Sequence, residues 1–161
     1  MHVLTIQAPA PALAMKPPTG SFIEHCDVVS LHMRLVEATR GIVTAWDLAR
    51  MKPTALLVNT SRGPVVDESA LVQALESGQV AGAALDVFED EPLATDSRLR
   101  SLPQVVLTPH AAGYSRESWN DLRREMCDNA ISFLQTGWAE AIVNPEVRAN
   151  LRQAAVTSSA P

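Results

Sequence analysis

The sequence predicts an α/β fold: a parallel sheet covered on both faces, followed by a long C-terminal helix. Three observations predict it. Short apolar runs rich in β-branched residues alternate with helical segments, as parallel strands alternate with the crossovers that join them. Those runs are continuously apolar, without the in–out alternation of a sheet that faces water on one side. Close to half of the 161 residues are apolar (47%), enough for one sizeable core and too many for a disordered chain.

The elements follow in order. Residues 2–6, HVLTI, form a short opening strand. Residues 8–20 are rich in proline and make a loop. The run 26–32, CDVVSLH, is a buried strand. A short helix begins after Thr44, with Thr44 as its cap, Asp47 three residues on, and Pro53 beyond its end. Residues 54–60, TALLVNT, are the next strand. A helix over 67–78 is capped by Asp67, carries Glu68 at its positive end, gathers Leu71, Ala74 and Leu75 on one face, and stops at Gly78. Strands at 80–88 and 104–110 come next. From Ser115 to Thr136, Trp119, Leu122, Met126, Ala130, Phe133 and Leu134 fall on one helical stripe, and Gly137 ends it. The polar tail from 145 onward is expected to be loose.

Composition excludes several functions. The net charge of −5 and the lack of any basic cluster beyond Arg123-Arg124 speak against a nucleic-acid face. Cys26 and Cys127 are far apart, without the spacing of a zinc site. Both are read as small core hydrophobes, and no metal site is expected. No apolar run approaches the length of a membrane span. The N-terminus lacks the pattern of a secretory signal, so a soluble cytoplasmic protein is expected.

In open parallel sheets, ligands bind beyond the carboxyl ends of the strands. Here those ends carry His32-Met33, Asn59-Thr60-Ser61-Arg62-Gly63, Asp86 with Glu89-Asp90-Glu91, and Thr108-Pro109-His110. Each has an ordinary structural explanation taken alone. His110 fits a loop, Arg62 fits a pair with a helix-capping acid, the acid run fits a solvated surface, and Asp86 fits a role satisfying turn amides. Together, a cation, acids and a histidine at one sheet edge make a chemically capable set. His32 is read as structural, and His2 and His25 as surface residues.

The segments VVSLHM…ATRGIV, MKPTALLVNTSRGPVVDESALVQALESGQVAGAALDVFEDEP and LTPHAAGYSRES resemble the D-isomer-specific 2-hydroxyacid dehydrogenases, from about Cys26 to about Asn144. The resemblance implies a partial Rossmann-like, doubly wound parallel sheet over residues 1–144, with the helix of 115–136 leading back toward a substrate domain. It implies Arg62, Glu91 and His110 as the catalytic arginine, glutamate and histidine. Arg62 would offer a fork of donors to a substrate carboxylate and keto oxygen. His110 would exchange the proton of the hydroxyl group, and Glu91 would orient the ring and stabilise its positive charge. The cofactor implied is NAD, or NADP, which carries the hydride. Met33 would line the adenosine side. Thr60, Ser61 and Asp86 would stand near the nicotinamide, with Arg62 and His110 also against the cofactor. Gly113 would allow close backbone approach.

The sequence also departs from the family. No GxGxxG occurs, although that loop cradles the pyrophosphate. Gln7-Ala8 stand where an acid at the end of the second strand would indicate NAD over NADP. Arg34 replaces a family proline. HVLTI matches the family's second cofactor-domain strand, so a gap in the sheet and exposed apolar surface are expected. The expectation is an oxidoreductase acting on a small 2-hydroxy or 2-oxo acid. Alone it would be inactive or weak, and it would associate with itself or with a full-length relative. The alternative is a non-catalytic, truncated paralogue that serves as a binding or assembly module.

Overall fold

The computed structural model describes residues 3–7, 23–139 and 141–150. They fall into two compact units, the first ending at Ala112 and the second beginning at Gly113.

The first unit is a five-stranded parallel sheet: β1 (Val3–Gln7), β2 (Val28–His32), β3 (Leu56–Asn59), β4 (Gly82–Leu85) and β5 (Val105–Leu107), paired in that order. The expected gap is absent. β1 pairs with β2 directly, from Val3 with Val28 to Gln7 with His32. The proline-rich loop lies outside the described residues.

The helices start where the capping chemistry predicts. α1 (Ala45–Leu48) is capped reciprocally: the Asp47 amide donates to the Thr44 hydroxyl, and Asp47 Oδ2 accepts from the Thr44 amide. α2 (Glu68–Glu76) begins on Asp67, whose carboxylate accepts from the Ala70 amide. That bond, the largest effect on the group, holds the Asp67 carboxyl below its usual range. Gly78 ends the segment in the left-handed region, at φ 73°. α2 buries Ala70, Leu71, Val72, Ala74 and Leu75. The core joins them to Leu48 of α1 and to Val29, Leu31, Leu57 and Leu85 of the sheet. Each fully buried leucine contributes about 1.5–3 kcal/mol of transfer free energy.

Among the described residues, burial differs between the two faces of the sheet. Val29, Leu31, Leu57, Asn59, Ala83 and Leu85 point into the core. Their alternates do not. Val28, Ser30, Val58 and Ala84 are half-buried, while Leu56 is 45% and Val106 64% exposed. The register aligns these residues in two rows, Val28–Leu56–Gly82 and Ser30–Val58–Ala84–Val106. The cause is topological. The strand order never reverses, and right-handed crossovers taken in one direction all land on one face. The described sheet therefore has the winding of one half of a doubly wound fold.

In the second unit, α3 (Arg116–Thr136) is capped by Ser115, whose hydroxyl accepts from the Ser118 amide at 2.9 Å. It ends on Gly137 at φ 73°. None of its residues is buried. Cys127 is accordingly exposed, unlike the buried Cys26 and contrary to the expectation of two core thiols. Within the tail expected to be loose, Pro145–Asn150 forms a 3-10 segment, and the rest lies outside the described residues.

Candidate active site

Parallel pairing of β3, β4 and β5 brings their carboxyl ends side by side. The turn after β3 is built on Asn59, which is 1% exposed. Its amide nitrogen donates to the Arg62 carbonyl (2.9 Å), and its Oδ1 accepts from the Ser61 amide (3.0 Å) and hydroxyl (2.9 Å). Asn59 holds this turn although the sequence reading assigned it no role. Its available signal was an asparagine at a strand end, where such side chains bond the backbone two residues on. Gly63 follows. A Cβ there would lie 1.8 Å from the Phe88 carbonyl oxygen and 2.6 Å from the Glu89 nitrogen. Only glycine lets the turn after β3 press this closely on the loop after β4.

That loop carries Glu91, joined to Pro92 by a cis peptide bond. Glu91 Oε1 accepts from the Phe88 amide at 3.1 Å, and Oε2 meets His110 Nδ1 at 2.7 Å. The Glu89 amide donates to Glu68 Oε2 (2.9 Å), fastening the loop to the first turn of α2. The Glu91 carboxyl is held below its ordinary value. The bond from His110 does most of this, burial opposes it, and the Phe88 amide and the charges of His110 and Arg62 assist. The pair is about half exposed, with side-chain exposures of 47% for His110 and 36% for Glu91.

His110 sits at φ 54°, the only positive φ among the described non-glycine residues. Such a conformation is uncommon and costs of order 1–3 kcal/mol. Asp86, 3% exposed, holds it from both sides. Its Oδ1 accepts from the Thr108 hydroxyl (2.5 Å) and the Ala111 amide (2.8 Å), and its Oδ2 from the Ala112 amide (2.8 Å). Burial alone would push the Asp86 carboxyl up. The three hydrogen bonds, with the charge of His110, outweigh it and hold the group below its usual value.

Among the predicted residues, the structure therefore brings together Glu91, His110 and Asp86. Arg62 is at the same edge, exposed, with Nη1 donating to the Ser61 carbonyl at 2.6 Å. It forms no ion pair with Glu91 among the described residues, yet it stands close enough to lower that carboxyl. Thr60 is exposed and Ser61 half-buried beside it. Met33 is different: it is 7% exposed and belongs to the core cluster, so its side chain is committed to packing. Gly113 begins the second unit, and an added Cβ there would meet no atom within 4 Å. A cavity of about 470 Å³ adjoins the Glu91–His110 pair, walled by Phe88, Pro92, Leu93 and Leu107. Arg100 braces its rim by donating to the Leu93 and Ala94 carbonyls (2.7 and 2.8 Å).

The arrangement suits proton transfer. His110 Nδ1 is taken by Glu91, which leaves Nε2 for a ligand, while Arg62 offers a cation with donors to spare.

Comparison with known proteins gives the chain its family. Residues 9–112 match the profile described as D-isomer specific 2-hydroxyacid dehydrogenase, NAD binding domain. The chain is 46% identical over 130 residues to a glyoxylate reductase of Korarchaeum cryptofilum, covering 81% of this chain and 39% of the relative. It is 42% identical over 127 residues to glyoxylate/hydroxypyruvate reductase B of Citrobacter koseri, covering 79% of this chain and 39% of that protein. One similar solved structure is the NADPH-dependent glyoxylate/hydroxypyruvate reductase of Sinorhizobium meliloti in complex with NADP and malonate. It has a TM-score of 0.68 and 38% identity, over 73% of this chain and 37% of that one. Another is the NAD-complexed D-isomer specific 2-hydroxyacid dehydrogenase of Lactobacillus delbrueckii ssp. bulgaricus, with a TM-score of 0.69 and 30% identity, over 75% of this chain and 41% of that one. The chain thus spans about 39% of the length of the curated relatives it matches.

Proposed function

Because the chain belongs to the D-isomer-specific 2-hydroxyacid dehydrogenase family, we propose that it carries the acid–base half of an NAD(P)-dependent reductase of small 2-oxo acids, of the glyoxylate and hydroxypyruvate kind. The observation that carries this is the 2.7 Å contact of Glu91 Oε2 with His110 Nδ1. It orients the ring and leaves Nε2 to face a ligand.

The roles follow from the residue types. Arg62 holds the substrate carboxylate through a planar fork of donors. His110 delivers a proton from Nε2 to the oxygen of the carbonyl being reduced, so that a 2-oxo acid leaves as a 2-hydroxy acid. Glu91 keeps the imidazole aimed and balances its charge. Asp86 maintains the backbone that presents His110. Bound NAD(P)H supplies the hydride. The exposed Thr60, Ser61 and the open strand ends fit its nicotinamide end. The pyrophosphate end is not matched, since the 161 residues contain no GxGxxG. A phosphate-binding segment from outside these residues, such as that of an associated chain, completes cofactor binding.

The test follows absorbance of reduced nicotinamide near 340 nm with about 100 µM chain and glyoxylate. A slow oxidation abolished by both Arg62→Gln and His110→Gln is expected. A rate that survives either substitution would falsify the assigned roles. One observation favours a second reading, a non-catalytic association module: the open apolar face of the sheet. A folded chain that oxidises no nicotinamide even when mixed with a full-length relative disabled at its own catalytic histidine decides for it.

A further inference from the structure

Glu91 meets His110 at 2.7 Å from a stretch of chain with little packing of its own. Burial along the loop after β4 stops at Phe88. Glu89, Asp90, Glu91 and Pro92 are all exposed, and Leu93 is half-buried. Exposed loops move unless their backbone is tied to something rigid. A displacement of about 1 Å would take the carboxylate out of hydrogen-bond range of the ring.

Two side chains from other elements tie this loop, one on each side of Glu91. Two residues before it, the Glu89 amide donates to Glu68 Oε2 at 2.9 Å. Glu68 opens α2, a helix fixed by its Asp67 cap and by five buried residues. Two and three residues after Glu91, the Leu93 and Ala94 carbonyls accept from Arg100 Nη2 (2.7 Å) and Nε (2.8 Å). Arg100 belongs to the 3-10 turn Arg98–Ser101, which the fully buried Leu99 anchors in the core. Each tie thus joins an exposed loop to a buried element. Neither Glu68 nor Arg100 forms an ion pair among the described residues. Arginine suits its place, because a planar fork reaches two carbonyls at once where an ammonium is a point donor.

We propose that Glu68 and Arg100 are positioning residues for the acid–base pair: they clamp the loop on both sides of Glu91 and so hold its carboxylate on His110. The clamp takes its functional meaning from the reading of Glu91 and His110 as that pair, but its mechanics need neither cofactor nor substrate. The Glu91 carboxyl reports on it directly, since the bond with His110 does most to hold that group below its ordinary value. The Phe88 amide reports on it too, because it donates to Glu91 Oε1.

The test is an NMR titration of the Glu91 carboxyl in the intact chain, with amide hydrogen exchange at Phe88 and along β3. The variants separate geometry from charge. Glu68→Ala removes a negative charge, which by itself would lower the Glu91 value further, whereas a loosened loop raises it. Arg100→Lys keeps the charge and loses the fork. Both are expected to raise the Glu91 value toward its ordinary range. Both should speed Phe88 exchange about tenfold, as for one net hydrogen bond lost, and leave exchange along β3 unchanged. Glu68→Gln keeps an acceptor oxygen and should match the unaltered chain. A Glu91 value unchanged or lowered in Glu68→Ala, or unchanged in Arg100→Lys, overturns the proposal. So does a rise in Glu68→Gln as large as in Glu68→Ala, or an equal acceleration throughout β3, which marks a general loss of stability. No turnover is read, so failure of the reductase function and failure of the clamp are told apart.

Discussion

Asp86→Asn tests whether a buried carboxylate sets the conformation of His110. Asp86 accepts three hydrogen bonds, from Thr108, Ala111 and Ala112. Asparagine keeps one acceptor oxygen, enough for the Thr108 and Ala111 donors. Its amide group, however, faces the Ala112 N–H donor to donor. The loss is one hydrogen bond to a charged group, about 1.5–3 kcal/mol, plus the cost of a partly buried N–H left unsatisfied, about 1–3 kcal/mol. We expect the variant to be about 3 kcal/mol less stable at pH 7 by urea denaturation. The pH dependence gives a second check. The Asp86 carboxyl lies below its ordinary value in the fold. Its stabilisation is therefore complete above the ordinary aspartate range, near pH 4, and is lost as pH falls through the lower folded value. Asparagine has nothing to lose there, so the gap between the two proteins closes in acid. Hydrogen exchange at Ala111 and Ala112 should accelerate in the variant. An equal gap at pH 3 and pH 7, or unchanged exchange at those amides, would refute the reasoning.

Two further substitutions have clear expected outcomes. Gly63→Ala places a methyl group 1.8 Å from a backbone oxygen, so the loop after β4 must move. A loss toward the upper end of the 1–3 kcal/mol typical of overpacking is expected in urea unfolding, with faster exchange of the Phe88 amide. Ser115→Ala removes the acceptor for the Ser118 amide. It should reduce the stability of α3 by about 1 kcal/mol, seen as lower helical ellipticity at elevated temperature, while leaving the Asp86 and Glu91 bonds unchanged.

Much of this chain is written locally. Thr44 with Asp47 and Asp67 with Ala70 are pairs three residues apart, and their bonds form as the spacing predicts; Ser115 caps the last helix in the same way. Gly78 and Gly137 end their segments in the left-handed region because they lack a Cβ. The strands likewise arise from short β-branched runs. The gathering of Arg62, Asp86, Glu91 and His110 at one edge was also legible, because parallel strands joined by crossovers must all end at the same edge.

The elements, most of their caps and the edge at which the chemistry-bearing residues collect can be read from the chain alone. Each depends on neighbours a few residues away, or on a rule common to all parallel sheets. The rest depends on contacts between segments far apart in the chain. Met33 went into the core and Cys127 to the surface. Asp86 was set on amides 25 and 26 residues further along the chain. Gly63 proved indispensable because the Phe88 carbonyl lies against it, a contact with no counterpart in the pattern around position 63. The same holds for the sheet. Apolar runs are alike whether one face is covered or two, and it is the direction of successive crossovers, a property of the whole path of the chain, that left Leu56 and Val106 facing outward.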